Sequence, residues 1–324
     1  MTDLPSTPPA TPLDVEPAPA SAAPGDGRRL AASTLMDAVT LVVGDPEGMS
    51  SYYERALAME PIAERAEREG VRRVLGRDGV PMVRLVERAD LPVAGPREAG
   101  LYHSAFLFED EASLAATVFR ATQDPRSRFV GSSDHLVSEA FYFTDPEGNG
   151  IELYRDRPRE AWTVVDGRAQ MDTLFLDPNT YLRRHLVEAD AERAEALPGV
   201  VGHIHLQVGD IARAEDFYVG GIGFDVSSQR IPSAVFVSAG GYHHHMAMNV
   251  WNSRGAGPRA ASLGLGEVSI TVPERAELDA LADRLRRRGD EFVDDGRAIR
   301  VRDPWGTQLT VGLPDATAEE LLEA

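Results

Sequence analysis

The sequence predicts an α+β fold made of four βαβββ units that pair into two cupped half-barrels. A strand, the tripeptide Val-Gly-Asp and a helix occur together at residues 39–57 and again at 204–222, and Tyr53 or Tyr218 follows the aspartate by eight residues in each copy. Two further units begin LYHSAFLF and LGEVSITV and end in an Asp-Pro turn and a short strand. Since one such unit would expose an open sheet with one apolar face, the units are expected to pair.

The four units follow a Pro- and Ala-rich tail. Residues 1–28 contain too little apolar surface to offset the entropy of ordering them, so they are predicted to be disordered. The remaining predicted boundaries are the first unit at 36–95, the second at 100–157, a connector at 158–199, the third unit at 200–252 and the fourth at 263–314.

Composition excludes several classes of partner. Thirty-three basic and 52 acidic residues leave a net charge of -19, which argues against nucleic acid and against an anionic membrane surface. The chain has no cysteine, so any metal must be held by histidine and carboxylate side chains. No apolar run approaches the roughly 18 residues that span a bilayer, and no secretory segment is recognisable. The sequence therefore predicts a cytoplasmic protein.

Residues 131–154 carry the clearest functional signal. Residues 136–144 and 151–154 are predicted strands that flank the turn Asp-Pro-Glu-Gly-Asn-Gly. The alternation of a strand places Tyr142 on one face and Phe141 and Phe143 on the other. Glu152 interrupts the apolar strand IELY, and a carboxylate facing a sheet interior is costly unless a positive charge meets it. A lone glutamate is most often an exposed edge residue, but a bound metal ion would supply that charge.

The order His135, Phe141-Tyr142, Asp145-Pro146-Glu147-Gly148, Glu152 resembles the signature of the extradiol ring-cleavage dioxygenases, with Ser133 departing from it at one position. The four units together resemble the vicinal oxygen chelate superfamily, which includes glyoxalase I, bleomycin-resistance proteins and the extradiol dioxygenases. The blocks GLYHSAF, GHIHLQV and GGYHHHMAMNVW are similar to those of bacterial catechol 2,3-dioxygenases with four units.

The resemblance implies a metal site that takes one ligand from the first strand of each of two units and a glutamate from a last strand. In that family the first-strand ligand lies seven residues before the acid that opens the helix, which points to His103 and His203, with Glu152 as the carboxylate. The corresponding residues of the first and fourth units are Ala38, Glu267 and Thr310. The implied metal is Fe(II), with Mn(II) as an alternative. This site requires the second unit to pair with the third and the first with the fourth, whereas sequential pairing would separate the ligands.

Seven of the eight histidines lie in the second and third units. By resemblance, His243 is the candidate acid/base, because its near-neutral pKa suits proton transfer, and His245 is expected to share its face of the strand and assist. A surface strand or an adventitious metal site is the alternative explanation of His243–His245. His205 shares a strand face with His203 and is the alternative ligand.

The resemblance implies cleavage of a catechol-type diol by O2 to a muconic semialdehyde, with Tyr142 and His135 hydrogen-bonding the substrate or the oxygenated intermediate. The expected partners are a small aromatic diol and O2, and the number of chains in a homo-oligomer stays open. Three alternatives share the fold, namely a hydroquinone-cleaving dioxygenase, a glyoxalase-like metalloenzyme and a non-enzymatic binding protein.

Overall fold

The structure, a computed structural model, describes residues 29–68, 70–187, 192, 197–228, 231–314 and 322. The tail that the sequence predicts to be disordered, residues 1–28, lies outside these residues. None of the described helices combines the length and the apolar character needed to cross a bilayer.

The described chain is mostly strand, with few helices. In order, the strands are β1 Leu35–Met36, β2 Val39–Val43, β3 Glu60–Glu67, β4 Gly70–Arg77, β5 Val80–Glu87, β6 Gly100–Phe108, β7 Arg128–Asp134, β8 Ser138–Thr144, β9 Gly150–Asp156, β10 Val164–Val165, β11 Arg168–Ala169, β12 Leu174–Phe175, β13 Gly199–Gln207, β14 Asp225–Ser228, β15 Ala234–Ser238, β16 Met246–Asn249, β17 Gly264–Thr271, β18 Phe292–Asp294, β19 Ala298–Arg302 and β20 Gln308–Gly312. The helices are α1 Pro46–Leu57, α2 Glu111–Gln123, α3 Pro178–His185, α4 Ile211–Glu215, which continues as a π-helix over Asp216–Ile222, and α5 Arg275–Arg288, with a 3-10 turn at Arg159–Ala161.

Two nine-stranded sheets contain all of these strands except β10 and β11, which pair with each other, and the predicted α+β fold of paired βαβββ units is confirmed. One sheet has the order β18-β19-β20-β17-β2-β5-β4-β3, with β1 added against β17, and the other has the order β12-β7-β8-β9-β6-β13-β16-β15-β14. At the centre of each sheet two first strands meet antiparallel, β2 with β17 and β6 with β13. Strands from residues 100–157 and 200–252 therefore share one sheet, and strands from residues 36–95 and 263–314 share the other.

The helix that follows each first strand begins at an acidic residue. The side chains of Asp45, Asp110 and Asp210 each accept a hydrogen bond from a backbone N–H three residues later, which satisfies donors that the first helical turn leaves free. These caps fix the point at which each first strand turns away from the sheet. They also fix the distance from the helix start back to the strand residues that face the cup.

The two repeated tyrosines join units that lie in different sheets. Tyr53 donates to Asp145 Oδ2 at 3.0 Å, and Tyr218 donates to Asp303 Oδ2 at 3.1 Å, so each helix is tied to the Asp-Pro turn of the following unit. All four side chains are buried. One hydrophobic cluster runs through both sheets and their helices, and the two cups therefore lie on a shared core.

Candidate metal centre

Four neighbouring strands place the polar side chains of one cup in a row. Tyr142 of β8 pairs with Glu152 of β9, Glu152 is the neighbour of Ala105 on β6, and Ala105 pairs with His203 of β13. The small side chain of Ala105 leaves space between the larger residues. His103 precedes Ala105 by two residues and therefore faces the same side of the sheet.

His103, Glu152 and His203, called here the His–Glu–His group, converge on one point. The Nε2 atoms of His103 and His203 lie 2.9 and 3.1 Å from the same carboxylate oxygen, Glu152 Oε2. The three residues are 6%, 3% and 2% exposed. A charge this deeply buried must be neutralised by a nearby group of opposite sign.

The protonation states of the group suit cation binding. Burial opposes ionisation of Glu152, but the neighbouring imidazoles of His203 and His103 hold the pKa of its carboxyl group well below the ordinary value. Burial lowers the pKa of His203 to about 4 despite the adjacent carboxylate. At neutral pH Glu152 is therefore an anionic carboxylate beside the neutral imidazole of His203, and these are the forms in which the two side chains bind a metal.

The hydrogen bonding of the group is incomplete without a cation. His103 Nε2 and His203 Nδ1 are buried and have no hydrogen-bond partner, since the 2.9 Å approach of His103 Nε2 to Glu152 is not aligned as a hydrogen bond. Within the described residues this is the one set of three such side chains whose ligand atoms all lie within 4.8 Å of each other. Two imidazoles and one carboxylate fit a divalent cation with open coordination positions.

Aromatic rings surround the His–Glu–His group. Tyr102 lies with its ring centre 5.3 Å from that of His103, and Trp251 packs edge-on against Tyr102 at 5.2 Å. Trp251 is 45% exposed, so this wall extends from the buried group to the solvent. The cup can therefore cover the faces of a flat apolar ligand beside the ligand atoms.

The structure brings His135 and Tyr142 together at the edge of the His–Glu–His group. His135 Nδ1 lies 2.7 Å from the carbonyl oxygen of Asp172, and its Nε2 lies 2.7 Å from Tyr142 Oη. Because a carbonyl only accepts, Nδ1 carries hydrogen, and Nε2 of the neutral ring accepts from the tyrosine. Burial and the charge of Glu152 raise the pKa of Tyr142 well above its ordinary value, which keeps its hydroxyl group protonated as a donor.

The structure corrects the expected arrangement of the three consecutive histidines. The sequence placed them in a strand, with His243 and His245 on one face, but β16 begins only at Met246. Both ring nitrogens of His243 are engaged, by Asp156 and by His244, and its side chain is 0% exposed. The ring nitrogens of His243 are therefore directed at Asp156 and His244, and its role as the acid/base stays a prediction.

His245 also points away from the cup. Its Nδ1 accepts a hydrogen bond from the backbone N–H of Ala239, and its ring stacks on Phe224. Burial lowers the pKa of His245 to about 3, so the ring is neutral and belongs to the core. The predicted assisting role of His245 has no geometric support.

His244 occupies the position expected of His243. Its ring centre is 4.1 Å from that of His203, and it is only half-buried, whereas His243 and His245 are buried. Burial, reinforced by the neighbouring imidazoles, holds the pKa of His244 well below the ordinary value, so its ring is neutral at neutral pH.

The structure separates the two candidate ligands on β13. His203 Nε2 points at Glu152, whereas His205 Nε2 is 2.9 Å from the side-chain amide of Asn249. Burial lowers the pKa of His205 well below the ordinary value. His205 packs against His103 with a ring separation of 4.8 Å, and it lies outside the His–Glu–His group.

The other cup carries a different set of residues. Arg84 of β5 pairs with Thr40 of β2, which lies two residues after Ala38. In the second sheet Glu152 pairs in the same way with Ala105, which lies two residues after His103. The guanidinium group of Arg84 is buried and lies 2.8 Å from Asp37 Oδ2. A fixed cation thus replaces the carboxylate, and this cup cannot assemble the same group.

Five residues around the His–Glu–His group were not assigned a role from the sequence. They are Tyr154, Asp156, Tyr242, His244 and Asn249, and the wall residues Tyr102 and Trp251 were likewise given no role. Alternation from Glu152 along β9 would have placed Tyr154 and Asp156 on its face. For His244 the sequence offers no such signal, because the residue precedes its strand.

The fold and the site define a class of protein, in which paired βαβββ units share a cup containing residues that could hold a divalent cation. A sequence profile described as the Glyoxalase/Bleomycin resistance protein/Dioxygenase superfamily matches residues 35–153 and 200–311. The chain belongs to that superfamily.

Known relatives agree with this assignment. The chain is 38% identical over 234 residues to a catechol-2,3-dioxygenase of Bacillus subtilis (strain 168), an alignment that covers 70% of this chain and 80% of that protein. A solved putative dioxygenase from Bacillus subtilis subsp. subtilis str. 168 matches with a TM-score of 0.60 at 12% identity, covering 92% of this chain and 91% of that one. Glyoxalase I from Zea mays matches with a TM-score of 0.55 at 14% identity, covering 90% and 95%. At these identities the two structures show the fold alone.

Proposed function

We propose that this protein is an extradiol ring-cleaving dioxygenase that acts on a catechol-type substrate. The observation that carries the proposal is the His–Glu–His group, two imidazoles and one buried carboxylate in an aromatic-walled cup. The 38% identity to a catechol-2,3-dioxygenase supports the same reaction class. Both atoms of one O2 enter the opened ring as a carboxyl and an aldehyde oxygen, so the reaction consumes no external reductant.

The proposed metal is Fe(II), held by His103, Glu152 and His203, and Mn(II) suits the same donor set. When bound, it supplies positions for the diol and O2 and a path for electrons between them. In this proposal the second and third units form the active cup, and the first and fourth units form a structural one, in which the buried guanidinium group of Arg84 supplies the positive charge.

Side chains on both sides of the His–Glu–His group are assigned to proton handling and orientation. His244 lies against His203 with a neutral ring and accepts the proton that a diol hydroxyl group loses on binding. On the other side, the hydroxyl group of Tyr142 donates its hydrogen to His135, and its oxygen accepts a hydrogen bond from a hydroxyl group of the diol. The aromatic wall of Tyr102 and Trp251 orients the substrate ring.

The substrate is proposed to carry no carboxylate. The rings that pack on the His–Glu–His group are Tyr102, Tyr142, Tyr154, His205, His243 and His244. The arginines that follow Glu152 on the chain are already paired, Arg155 with Glu111 and Glu139, and Arg157 with Asp134 and Glu139. A carboxylate on the ring would have to displace one of these ion pairs or reach Arg159, which packs over Trp162 and Tyr242.

The proposal is tested by loading the protein with Fe(II) under anaerobic conditions, adding catechol and then admitting air. The expected result is O2 uptake with the appearance of a yellow ring-fission product. His103→Ala and His203→Ala should abolish it, while Glu267→Gln in the other cup should not. Turnover of hydroquinone in place of catechol would identify the related hydroquinone-cleaving reaction. Absence of O2 uptake with both substrates at full metal loading would refute the proposal.

A further inference from the structure

Asp156 lies at the end of β9, four residues after Glu152 and on the same face of the strand. Its Oδ1 lies 2.8 Å from His243 Nε2, and its Oδ2 accepts from the hydroxyl group of Tyr242 at 2.7 Å. Both carboxylate oxygens therefore have a partner in a fixed position. The side chain is 22% exposed, so the anion keeps part of its contact with water.

The hydrogen bonds around Asp156 have a definite direction because an ionised carboxylate only accepts. His243 must donate through Nε2, and where its ring carries a single hydrogen, Nδ1 has only a lone pair. His244 Nδ1 is 2.8 Å from that atom and must supply the hydrogen between them. In the neutral ring of His244 the hydrogen is then on Nδ1, and Nε2 is bare.

A second set of hydrogen bonds reaches Asp156 from the opposite side. The one hydrogen of the Tyr242 hydroxyl group goes to Asp156, so in the 2.9 Å contact between the two tyrosines Tyr154 is the donor. Tyr154 is fully buried, and its ring packs on His203 at 4.9 Å. Two side chains, His243 and Tyr242, thus donate directly to Asp156, and His244 and Tyr154 in turn donate to those two.

We propose that Asp156 is a positioning residue that acts through His243 to present the bare Nε2 of His244 to the cup. The consequence for turnover rests on the proposed function, because a base beside His203 is useful only if a substrate proton is removed there. The hydrogen-bond order itself does not depend on which reaction the protein catalyses. Asp156 reaches the rings beside the His–Glu–His group by two routes, through His243 to His244 and through Tyr242 to Tyr154, and the hydrogen position on His244 depends on the first.

The experiment reads the hydrogen positions directly. Protein with nitrogen-15 in its imidazole rings, loaded with diamagnetic Zn(II), is studied by NMR at pH 7.5, with signals assigned by single His→Gln replacements. The expected result is hydrogen on Nε2 of His243 and on Nδ1 of His244. Hydrogen on Nε2 of His244 in the unaltered protein would overturn the proposal, and this measurement needs no variant to fold.

Two variants separate positioning from a merely structural role. Asp156→Leu removes the acceptor at similar volume, so the hydrogen of His244 should no longer be confined to Nδ1. Tyr242→Phe removes the other partner of Asp156 and should leave the hydrogen of His244 on Nδ1. With Fe(II), Asp156→Leu should lower kcat on the order of 10²-fold, the low end of general-base contributions, with metal content and KM near those of the unaltered protein. An unchanged tautomer in Asp156→Leu would overturn the proposal. Ordered tautomers in a protein that does not cleave catechol would refute the proposed function and leave the positioning role in place.

Discussion

Glu152→Gln is expected to weaken metal binding strongly without unfolding the chain. The substitution keeps the size of the side chain and removes the only carboxylate of the His–Glu–His group, whose Oε2 lies about 3 Å from both imidazole nitrogens. A four-ligand zinc site contributes about 10–16 kcal/mol. One ligand in four therefore corresponds to roughly 2.5–4 kcal/mol, or about 10²–10³-fold in Kd.

The assay is anaerobic calorimetric titration with Fe(II), or with Co(II) as an oxidation-resistant substitute, on protein stripped of metal. Glu267→Gln is the matched control, because Glu267 holds in the other sheet the position that His203 holds in the cup. Glu267 pairs with Thr40 of β2, and His203 pairs with Ala105 of β6. Its Kd should equal that of the unaltered protein. A Kd for Glu152→Gln within threefold of that value, or an equal loss in Glu267→Gln, would refute the reasoning.

Three more predictions concern the supports of the site. Gly202→Ala places a β-carbon where Tyr154 Oη lies, so the ring against His203 must move, and metal affinity should fall roughly 10–100-fold. Gly131→Ala, where a β-carbon meets nothing within 4 Å, should bind metal normally, and equal affinities for the two variants would contradict this explanation. Tyr53→Phe removes the buried hydrogen bond to Asp145 and should lower the free energy of unfolding by about 1.5–3 kcal/mol in urea titrations, with a change under 0.5 kcal/mol counting against it. Burial lowers the pKa of His245 to about 3, below the ordinary 6.5 of the unfolded chain, so its stabilisation is present above pH 6.5 and is lost as pH falls towards 3. Between pH 7.5 and pH 5 the free energy of unfolding of His245→Met should therefore fall by about 2 kcal/mol less than that of the unaltered protein. Equal falls in the two proteins would show that His245 does not titrate as described.

Regular strands made much of the cup predictable. Tyr142 faces the cup while Phe141 and Phe143 are buried in the core, as alternation along β8 predicts. The seven-residue count found His103 and His203 because a capped helix follows each first strand at the same distance. Glu152 could be singled out because a carboxylate is unusual in an apolar strand.

The remaining residues of the site could not be predicted from the alternation of side chains along a strand. His243, His244 and His245 precede β16, so the sequence did not show which of these rings meets the cup, and only the contacts with Asp156 and His203 do so. Asp156 stands in the sequence Arg-Asp-Arg, which is typical of exposed ion pairs.

Long-range partners were beyond the sequence for a different reason. The sequence showed that Tyr53 and Tyr218 recur at the same spacing, but their partners are 92 and 85 residues away. Arg84 was overlooked because the comparison with Glu152 used the last strand of the fourth unit. The strand register places both Thr310 of β20 and Arg84 of β5 beside their first strands as Glu152 of β9 lies beside β6.

The central claim is that the cup formed by residues 100–157 and 200–252 holds a metal ion at which O2 opens an aromatic diol. The most direct measurement is turnover of catechol by the Fe(II)-loaded protein under oxygen-18 gas, followed by mass spectrometry of the product. The account predicts a ring-opened product that carries both labelled oxygen atoms and forms without added reductant. An unlabelled product, or incorporation of a single atom that depends on a reductant, would contradict it.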